Sequence, residues 1–240
     1  MNCIAHRGFA GIAPENTRQA VRTAVALGAD GIEIDVRRCG SGELVVIHDE
    51  TVDRVTDGKG HVADLSLEVL SALSVLGTGE GVPTLDAVLS AIPASVTVNV
   101  ELKTSGIAAE VVAAAARYDT SLLVSSFEPD HLRECTPDDG EDAGSPAVDL
   151  ALVSRTLTRD TLELATDLGC VAVHPHWRAC STRAVRAAHE RSLAVNAWTV
   201  RSGAVAGRLT TAGVDGLIAD VPVRVRSPTV SGGSHRVGKG

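Results

Sequence analysis

Short runs of apolar residues alternate along the chain with longer segments of mixed polarity. The apolar runs, rich in Val, Ile, Leu and Ala, predict β-strands at 3–6, 31–36, 44–48, 96–101, 122–126, 149–153, 170–174, 193–199 and 215–219. The mixed segments predict helices at 16–27, 66–75, 84–92, 105–117, 128–134, 158–168, 181–191 and 201–212. This alternation predicts a parallel sheet with helices packed outside it.

The nine predicted strands are one more than an eight-stranded barrel needs. A parallel crossover takes about a dozen residues, so the short stretch 37–43 suits a hairpin instead. Segment 44–48 should then fold back on 31–36 as an accessory strand, leaving a (β/α)8 TIM barrel. An open doubly wound sheet is the alternative, but His6-Arg7-Gly8 is not the Gly-rich loop that such a sheet carries after its first strand.

The length and composition fit one barrel domain. The chain has 240 residues, 44% of them hydrophobic and 2% aromatic, so its core must be aliphatic, as barrel layers are. We expect a single domain over 1–226, with a small insertion at about 50–82 after the second barrel strand. We also expect an acidic loop at 136–147 and a disordered Gly/Ser-rich tail at 227–240.

Charge and cysteine content restrict the partners. A net charge of -8 argues against nucleic acid and against stable association with anionic membranes. No apolar run approaches the roughly 18 residues of a membrane span, and no signal peptide is recognisable. Five cysteines without a CxxC pair predict reduced thiols and a cytoplasmic protein. We expect a small-molecule substrate, and the oligomeric state stays open.

Acidic side chains mark the carboxyl-terminal ends of two predicted strands, where barrel enzymes place their active sites. Glu33 and Asp35 are two residues apart and therefore share one face of their strand, and Glu101 ends the next barrel strand. Three converging carboxylates would suit a hard divalent cation, Mg²⁺ or Ca²⁺ rather than Zn²⁺. The alternative is that each carboxylate pairs with an arginine.

Basic side chains also lie at strand ends. Arg7 comes after the first strand, and Lys103 shares a face with Glu101. Beside a metal ion, an arginine and a lysine would hold the oxygens of a phosphodiester. A structural ion pair between Lys103 and Glu33 or Asp35 is the alternative.

Histidines supply the proton chemistry that phosphodiester hydrolysis needs near neutral pH. His6 ends the first strand, and pairing about the 37–43 turn would place His48 roughly opposite Glu33. His174 could line a substrate pocket, and Trp198 could pack against the substrate or belong to the core. Asp220 follows the last strand and lies at the mouth, where its role could be simply to cap a turn.

Eight motifs in order carry a family resemblance: His6-Arg7-Gly8, Pro14-Glu15-Asn16-Thr17, Glu33-Ile34-Asp35, Val46-Ile47-His48-Asp49, Glu101-Leu102-Lys103, Ser125-Ser126-Phe127, Trp198-Thr199-Val200 and Asp215-Gly216-Leu217-Ile218-Ala219-Asp220. The sequence closely resembles the glycerophosphodiester phosphodiesterases over roughly residues 3–222. The last motif departs from the family in carrying Ala219 where many members have threonine.

The resemblance implies a phospholipase C-like barrel that hydrolyses glycerophosphodiesters to an alcohol and sn-glycerol 3-phosphate. It implies that a divalent metal is bound by three carboxylates and that two histidines act as general acid and base. It also implies phosphate contacts from two basic residues and a supporting glutamate. These positions here are Glu33, Asp35 and Glu101 for the metal, His6 and His48 for proton transfer, Arg7 and Lys103 for phosphate, and Glu15 for support.

Two rival functions remain at this point. A related barrel could act on lysophospholipids or other phosphodiesters through the same site. A catalytically silent barrel could bind phosphorylated ligands, but it would be expected to have lost a metal ligand or a histidine. All five are present here: His6, Glu33, Asp35, His48 and Glu101.

Overall fold

The computed structural model describes residues 1–136 and 148–223. Its strands are β1 (Asn2–His6), β2 (Gly31–Arg38), β3 (Leu44–Val46), β4 (Thr97–Leu102), β5 (Leu122–Ser126), β6 (Asp149–Ser154), β7 (Ala172–Pro175), β8 (Ala194–Val200) and β9 (Gly216–Ala219). Eight of them pair in parallel, and β1 pairs with both β2 and β9, which closes the sheet. The predicted (β/α)8 barrel is confirmed, and the open sheet is excluded.

The described residues form eight α-helices, of which α2 belongs to the insertion and the others surround the barrel: α1 (Arg18–Ala26), α2 (Leu67–Ala72), α3 (Leu85–Leu89), α4 (Ala108–Ala116), α5 (Pro129–Arg133), α6 (Arg159–Asp167), α7 (Thr182–His189) and α8 (Gly203–Ala212). Each helix lies within the bounds of a predicted helix and is shorter than predicted at one end or at both. Most begin after a serine or threonine whose hydroxyl accepts a backbone N–H of the first turn, as Thr17 does for α1. A serine or threonine at this position therefore marks the start of a helix in the sequence.

The accessory strand β3 runs antiparallel to β2, as predicted, but it ends at Val46 rather than at residue 48. Val36 faces Val46, and the amide of Ile47 still donates to the carbonyl of Asp35 at 2.9 Å. Continuing this register would set His48 across from Ile34, one residue from the position that the turn predicted. The hairpin still delivers His48 to the carboxyl-terminal end of β2.

The insertion after β3 has a hydrophobic core of its own. A cluster of buried side chains, separate from the main core, joins the hairpin to the insertion: Cys39, Val45, Ile47, Val52, Val55, Val62, Leu70, Val75 and Val82. A short 3-10 helix (Val62–Asp64) and α2 lie over it. We call this cluster the satellite core. It fixes the segment that follows His48 against the β2–β3 hairpin.

Some sequence predictions fall on parts of the chain outside the described residues. They are the acidic loop at 136–147 apart from residue 136, the end of the predicted 1–226 domain, and the 227–240 tail. All five cysteines are free thiols, as predicted. Within residues 1–136 and 148–223, no helix is long and apolar enough to cross a bilayer.

Candidate active site

Three carboxylates converge at the carboxyl-terminal end of the barrel. Glu33 and Asp35 point inward from β2, and Asp35 lies level with Glu101 on β4. One oxygen of each lies within 4.8 Å of the others, and the three residues are only 3, 1 and 9% exposed. Glu33 Oε1 and Asp35 Oδ1 accept no hydrogen bond, although an ammonium approaches the latter.

The electrostatics of this cluster favour a bound cation. Burial and the charges of Asp35 and Glu101 raise the pKa of Glu33 well above its usual range. Burial and Asp35 raise the pKa of Glu101 to about 7. Burial also opposes ionisation of Asp35, but Lys103 and Arg7 outweigh it and hold that pKa below its usual range. Buried, unpartnered carboxylate oxygens are the donors that Mg²⁺ and Ca²⁺ take, so the residues fit such an ion.

Two basic side chains border the carboxylates. The backbone amide of Arg7 donates to Glu33 Oε2 at 2.9 Å, and its Nε lies 3.1 Å from Asp35 Oδ2. Lys103 Nζ lies 3.3 Å from Asp35 Oδ1 and also contacts Glu101. The ion pair between Lys103 and Asp35, an alternative that the sequence left open, is therefore present. Both cations also face the cavity described below, where an anion could reach them.

A tight turn after β1 aims Arg7 at the carboxylates. Arg7 itself has a positive φ of 50°, which is strained for a bulky residue. A Cβ on Gly8 would lie 2.7 Å from the backbone of Ala20, so the turn can pack on α1 only with glycine there. Asn16, also at positive φ, donates from Nδ2 to Asp35 Oδ2 at 2.9 Å. The two motifs thus brace β2, the strand that carries Glu33 and Asp35, from one side.

His6 is held by a carboxylate from the last strand of the barrel. Its Nδ1 lies 2.6 Å from Oδ1 of Asp220, which directly follows β9. Arg201 Nε lies 2.5 Å from the other oxygen of Asp220. When Nδ1 of His6 donates its hydrogen bond to Asp220, Nε2 is the ring nitrogen that remains for other contacts. This Nε2 atom lies 4.0 Å from Glu33 Oε2. The imidazole is therefore oriented toward the carboxylate cluster.

His48 has a carboxylate partner of the same kind. Its Nδ1 lies 2.6 Å from Asp49 Oδ1, and Arg54 Nε contacts the second oxygen of Asp49 at 2.5 Å. Arg54 also forms two hydrogen bonds to Glu15, at 2.8 and 2.9 Å. Arg37 Nε donates to the carbonyl of His48 at 3.0 Å. Burial lowers the pKa of His48.

Seven of the nine predicted site residues line one cavity of about 80 Å³: His6, Arg7, Glu33, His48, Glu101, Lys103 and Trp198. Asp35 and Glu15 instead contact Arg7, the latter at 2.7 Å from Nη1. The cavity joins a carboxylate cluster, two cations and two imidazoles. Such a combination can bind a phosphodiester and move protons on both sides of its phosphorus.

Aromatic rings form one wall of the cavity mouth. Trp198 packs edge-to-face against Phe127 and His176, with ring centroids 5.4 and 5.3 Å apart. Its Nε1 donates to the carbonyl of His174 at 2.7 Å. The indole is thus fixed by a hydrogen bond and ring contacts while it lines the cavity.

Sequence reasoning missed the roles of four residues of this site: Asn16, Asp49, Arg54 and Asp220. The sequence places Asp220 at the mouth, and only barrel closure shows that it meets His6. Asp49 follows His48 directly, so a search for carboxylates next to candidate histidines would have found it. Arg54 lies in the insertion, and no signal in the sequence tied it to Glu15.

Comparison with known proteins gives a consistent picture. Residues 6–224 match the glycerophosphoryl diester phosphodiesterase family. A glycerophosphodiester phosphodiesterase from Caldanaerobacter subterraneus is 34% identical over 91% of this chain and 93% of its own length. One from Bacillus altitudinis is 32% identical over 92% of this chain and 95% of its own.

A solved structure agrees in fold. A phosphodiesterase from Oleispira antarctica, in complex with the product sn-glycerol-3-phosphate, superposes with a TM-score of 0.81 at 28% identity, over 92% of this chain and 93% of that one. The match thus spans the barrel and the strand ends that build the site. The chain belongs to the glycerophosphoryl diester phosphodiesterase family and is an enzyme of that class.

Proposed function

We propose that this protein hydrolyses glycerophosphodiesters to an alcohol and sn-glycerol 3-phosphate, with His6 and His48 as general acid and base. The proposal rests on the similar surroundings of the two histidines. Each Nδ1 lies 2.6 Å from an aspartate, and both rings line the cavity that holds Glu33 and Glu101. The product bound to the Oleispira relative supports the choice of substrate.

Glu33, Asp35 and Glu101 would hold Mg²⁺ or Ca²⁺, since their buried oxygens are close together and incompletely partnered. When bound, such an ion would neutralise charge on the phosphate oxygens. It would also compete for the carboxylates that now pair with Arg7 and Lys103.

Arg7 and Lys103 would contact the phosphate. The two charges flank the carboxylate cluster and face the cavity, so an anion bound there meets a guanidinium and an ammonium. Because the charge on the phosphorus oxygens increases in the transition state, fixed cations at this position favour reaction over simple binding. Glu15 supports the arrangement by holding Arg7 and Arg54 together.

Each histidine would carry out one of the two proton transfers. One imidazole takes the proton of the attacking hydroxyl as the new P–O bond forms. Attack by water gives sn-glycerol 3-phosphate directly, whereas attack by a hydroxyl of the glycerol half gives a cyclic phosphate that water must open in a second step. The other gives a proton to the leaving alcohol oxygen as the old P–O bond breaks. Aspartates on both Nδ1 atoms leave Nε2 as the working atom of each ring. Trp198 would pack against the substrate at the mouth.

The test is the release of sn-glycerol 3-phosphate from glycerophosphocholine. His6→Ala and His48→Ala should each reduce kcat by at least about 100-fold. His189→Ala is the matched control, because His189 also pairs with an aspartate, Asp215 at 2.9 Å, but lies at the surface on α7. Substantial turnover by either cavity variant would remove that histidine from the mechanism.

A further inference from the structure

Arginine side chains gather on one side of the barrel mouth. The loops that join β6 to α6, β7 to α7 and β8 to α8 each contain one arginine and no acidic residue: Arg155, Arg178 and Arg201. Loops that follow barrel strands surround the active site. This side of the mouth is therefore positively charged, although the whole chain has a net charge of -8.

Two of these three arginines are available to a ligand. Arg201 contacts Asp220, the partner of His6, and is thereby neutralised. Arg155 and Arg178 are exposed and form no ion pair with any other residue of the described chain. We call Arg155 and Arg178 the basic rim.

The basic rim adjoins the cavity through two rings. Trp198 lines the cavity, and the ring of His176 lies 5.3 Å from its ring. The amide of His176 donates to the carbonyl of Ser154 at 2.8 Å, which places His176 beside the loop that starts at Arg155. Burial, followed by the charges of Arg178 and Arg155, lowers the pKa of His176. Both guanidinium groups therefore lie close to the outer side of the cavity wall.

Arg178 is held in position by a neighbouring ring. Its guanidinium carbon lies 4.8 Å from the centre of the Trp177 ring. Arg208 contacts the same ring at 4.9 Å and donates from Nη2 to the carbonyl of Trp177 at 2.7 Å. A guanidinium group that stacks on an aromatic ring keeps the N–H groups of its edge available for a carboxylate or a phosphate. Arg178 would therefore lose little conformational freedom on binding an anion.

We propose that the basic rim binds an anionic group carried by the leaving alcohol, so that this enzyme prefers glycerophosphodiesters with acidic head groups. The inference rests on the proposed function, in which Arg7 and Lys103 contact the diester phosphate. The cavity holds about 80 Å³, too little for a whole diester, so part of the substrate must extend across the mouth.

The charge of the head group decides how it interacts with this side of the mouth. An anionic head group would meet two cations there and no carboxylate from the three loops. An aromatic wall alone would suit an ammonium head group, but the two arginines would repel it. Arg155 and Arg178 are thus specificity-determining residues for the alcohol half of the substrate.

Two substrates that differ by one carboxylate test the basic rim. Glycerophosphoserine has the head group of glycerophosphoethanolamine with a carboxylate added. The kcat/KM of the wild type should be about five-fold higher for glycerophosphoserine, the effect of an exposed ion pair. The preference should shrink at high salt, because ions screen exposed charges. Equal kcat/KM for the two substrates at low salt would overturn the inference.

Arg155→Gln and Arg178→Gln should affect the two substrates differently. Each change should lower kcat/KM for glycerophosphoserine about three-fold. It should leave kcat/KM for glycerophosphoethanolamine unchanged or raise it, because a cation that repels the ammonium group is gone. The double variant should lose the preference. An equal loss with both substrates would indicate a structural role and would also overturn the inference.

Arg186→Gln is the matched control. Arg186 is an exposed arginine in the last turn of α7, away from the three loops, and pairs with Glu190 at 3.5 Å. This variant should keep the preference of the wild type. Loss of the preference in Arg186→Gln would mean that overall charge, and not the basic rim, selects the head group.

Product release separates this inference from the proposed function. If the wild type releases sn-glycerol 3-phosphate from both substrates without preference, the inference about the basic rim fails and the proposed function stands. If it releases sn-glycerol 3-phosphate from neither substrate, the proposed function itself fails.

Discussion

Nδ1 of His6 lies 2.6 Å from Oδ1 of Asp220, across the seam where the first and last strands of the barrel pair. The two residues are 214 positions apart in sequence. The imidazole is therefore oriented only when the barrel closes. If β1 and β9 paired incorrectly, every site residue would still be present, but His6 would lack its carboxylate partner.

Asp220→Asn should lower kcat for glycerophosphocholine by about 100-fold or more, because an amide no longer stabilises the imidazolium and can hold the wrong tautomer. Binding of sn-glycerol 3-phosphate should change little, since Asp220 points at His6 rather than into the phosphate site. Steady-state kinetics and calorimetry would separate the two effects. Asp215→Asn, at the surface pair with His189, should keep full activity. An Asp220→Asn enzyme with normal kcat would show that His6 needs no carboxylate.

Arg54→Gln should lower kcat/KM several-fold, because Arg54 joins Asp49, the partner of His48, to Glu15. Its effect on stability should stay within about 1 kcal/mol, as expected for a half-exposed ion pair. Arg18→Gln is a matched control, since Arg18 also forms an ion pair, with Glu80, at nearly equal exposure: 46% against 49% for Arg54. Equal activities of the two variants would argue against a role of Arg54 in holding His48.

Metal removal should expose the repulsion among the carboxylates. Saturating Mg²⁺ or Ca²⁺ should raise the Tm of the wild type, by a stabilisation of about 2.7 kcal/mol at a hundred times Kd. Glu33→Gln should lose most of this gain and also lose activity. In the presence of chelator, the same variant should be more stable than the wild type, because the neutral amide that replaces the carboxylate carries no charge for Asp35 and Glu101 to repel. Thermal melts of both proteins, with metal and with chelator, would measure the smaller stabilisation by metal and the higher stability without it.

No response of the wild-type Tm to either cation would contradict the metal site directly. Glu43→Gln serves as a control in these melts, since Glu43 is an exposed glutamate whose partners are Ser41 and Cys39, away from the cavity.

His174 should make stability depend on pH. Its pKa in the folded protein is lowered to about 3 by burial, against about 6.5 in an unfolded chain. Above pH 6.5 neither state is protonated and His174 has no effect. Between about pH 6.5 and 3 only the unfolded state binds the proton, so stability falls as the pH falls, by up to about 1.4 kcal/mol per unit.

Urea unfolding at pH 7.5 and 5 would measure this dependence. Glu33 and Glu101, whose pKa values are raised, act in the opposite direction in the same range, so the difference between wild type and His174→Gln isolates the histidine. Stability should fall more, or rise less, from pH 7.5 to pH 5 in the wild type than in His174→Gln, and His189→Gln, at an exposed histidine, should behave like the wild type. Equal pH dependence of the wild type and His174→Gln would mean that the imidazole is not desolvated.

Strand periodicity predicts much of this site. Glu33 with Asp35, and Glu101 with Lys103, could be placed on shared faces from their spacing alone, because the direction of a side chain in a strand is a local property. His48 required the hairpin, and the turn length gave its position only to within one residue.

The partners of the histidines could not be predicted in the same way. Asp220 reaches His6 only after eight strands have closed, and Arg54 reaches Glu15 through packing within an insertion. Both are long-range contacts between polar residues, which leave no periodic trace in a single sequence.

The two histidines are held in place by different parts of the fold. His6 ends a barrel strand, whereas His48 follows Ile47, whose side chain packs with Val52 and Val55 in the satellite core, apart from the barrel interior. Substitutions in that small cluster can therefore shift one of the two proposed proton-transfer groups and leave the other in place. In this protein, half of the proposed acid–base pair can thus be adjusted independently, by natural variation or by protein engineering.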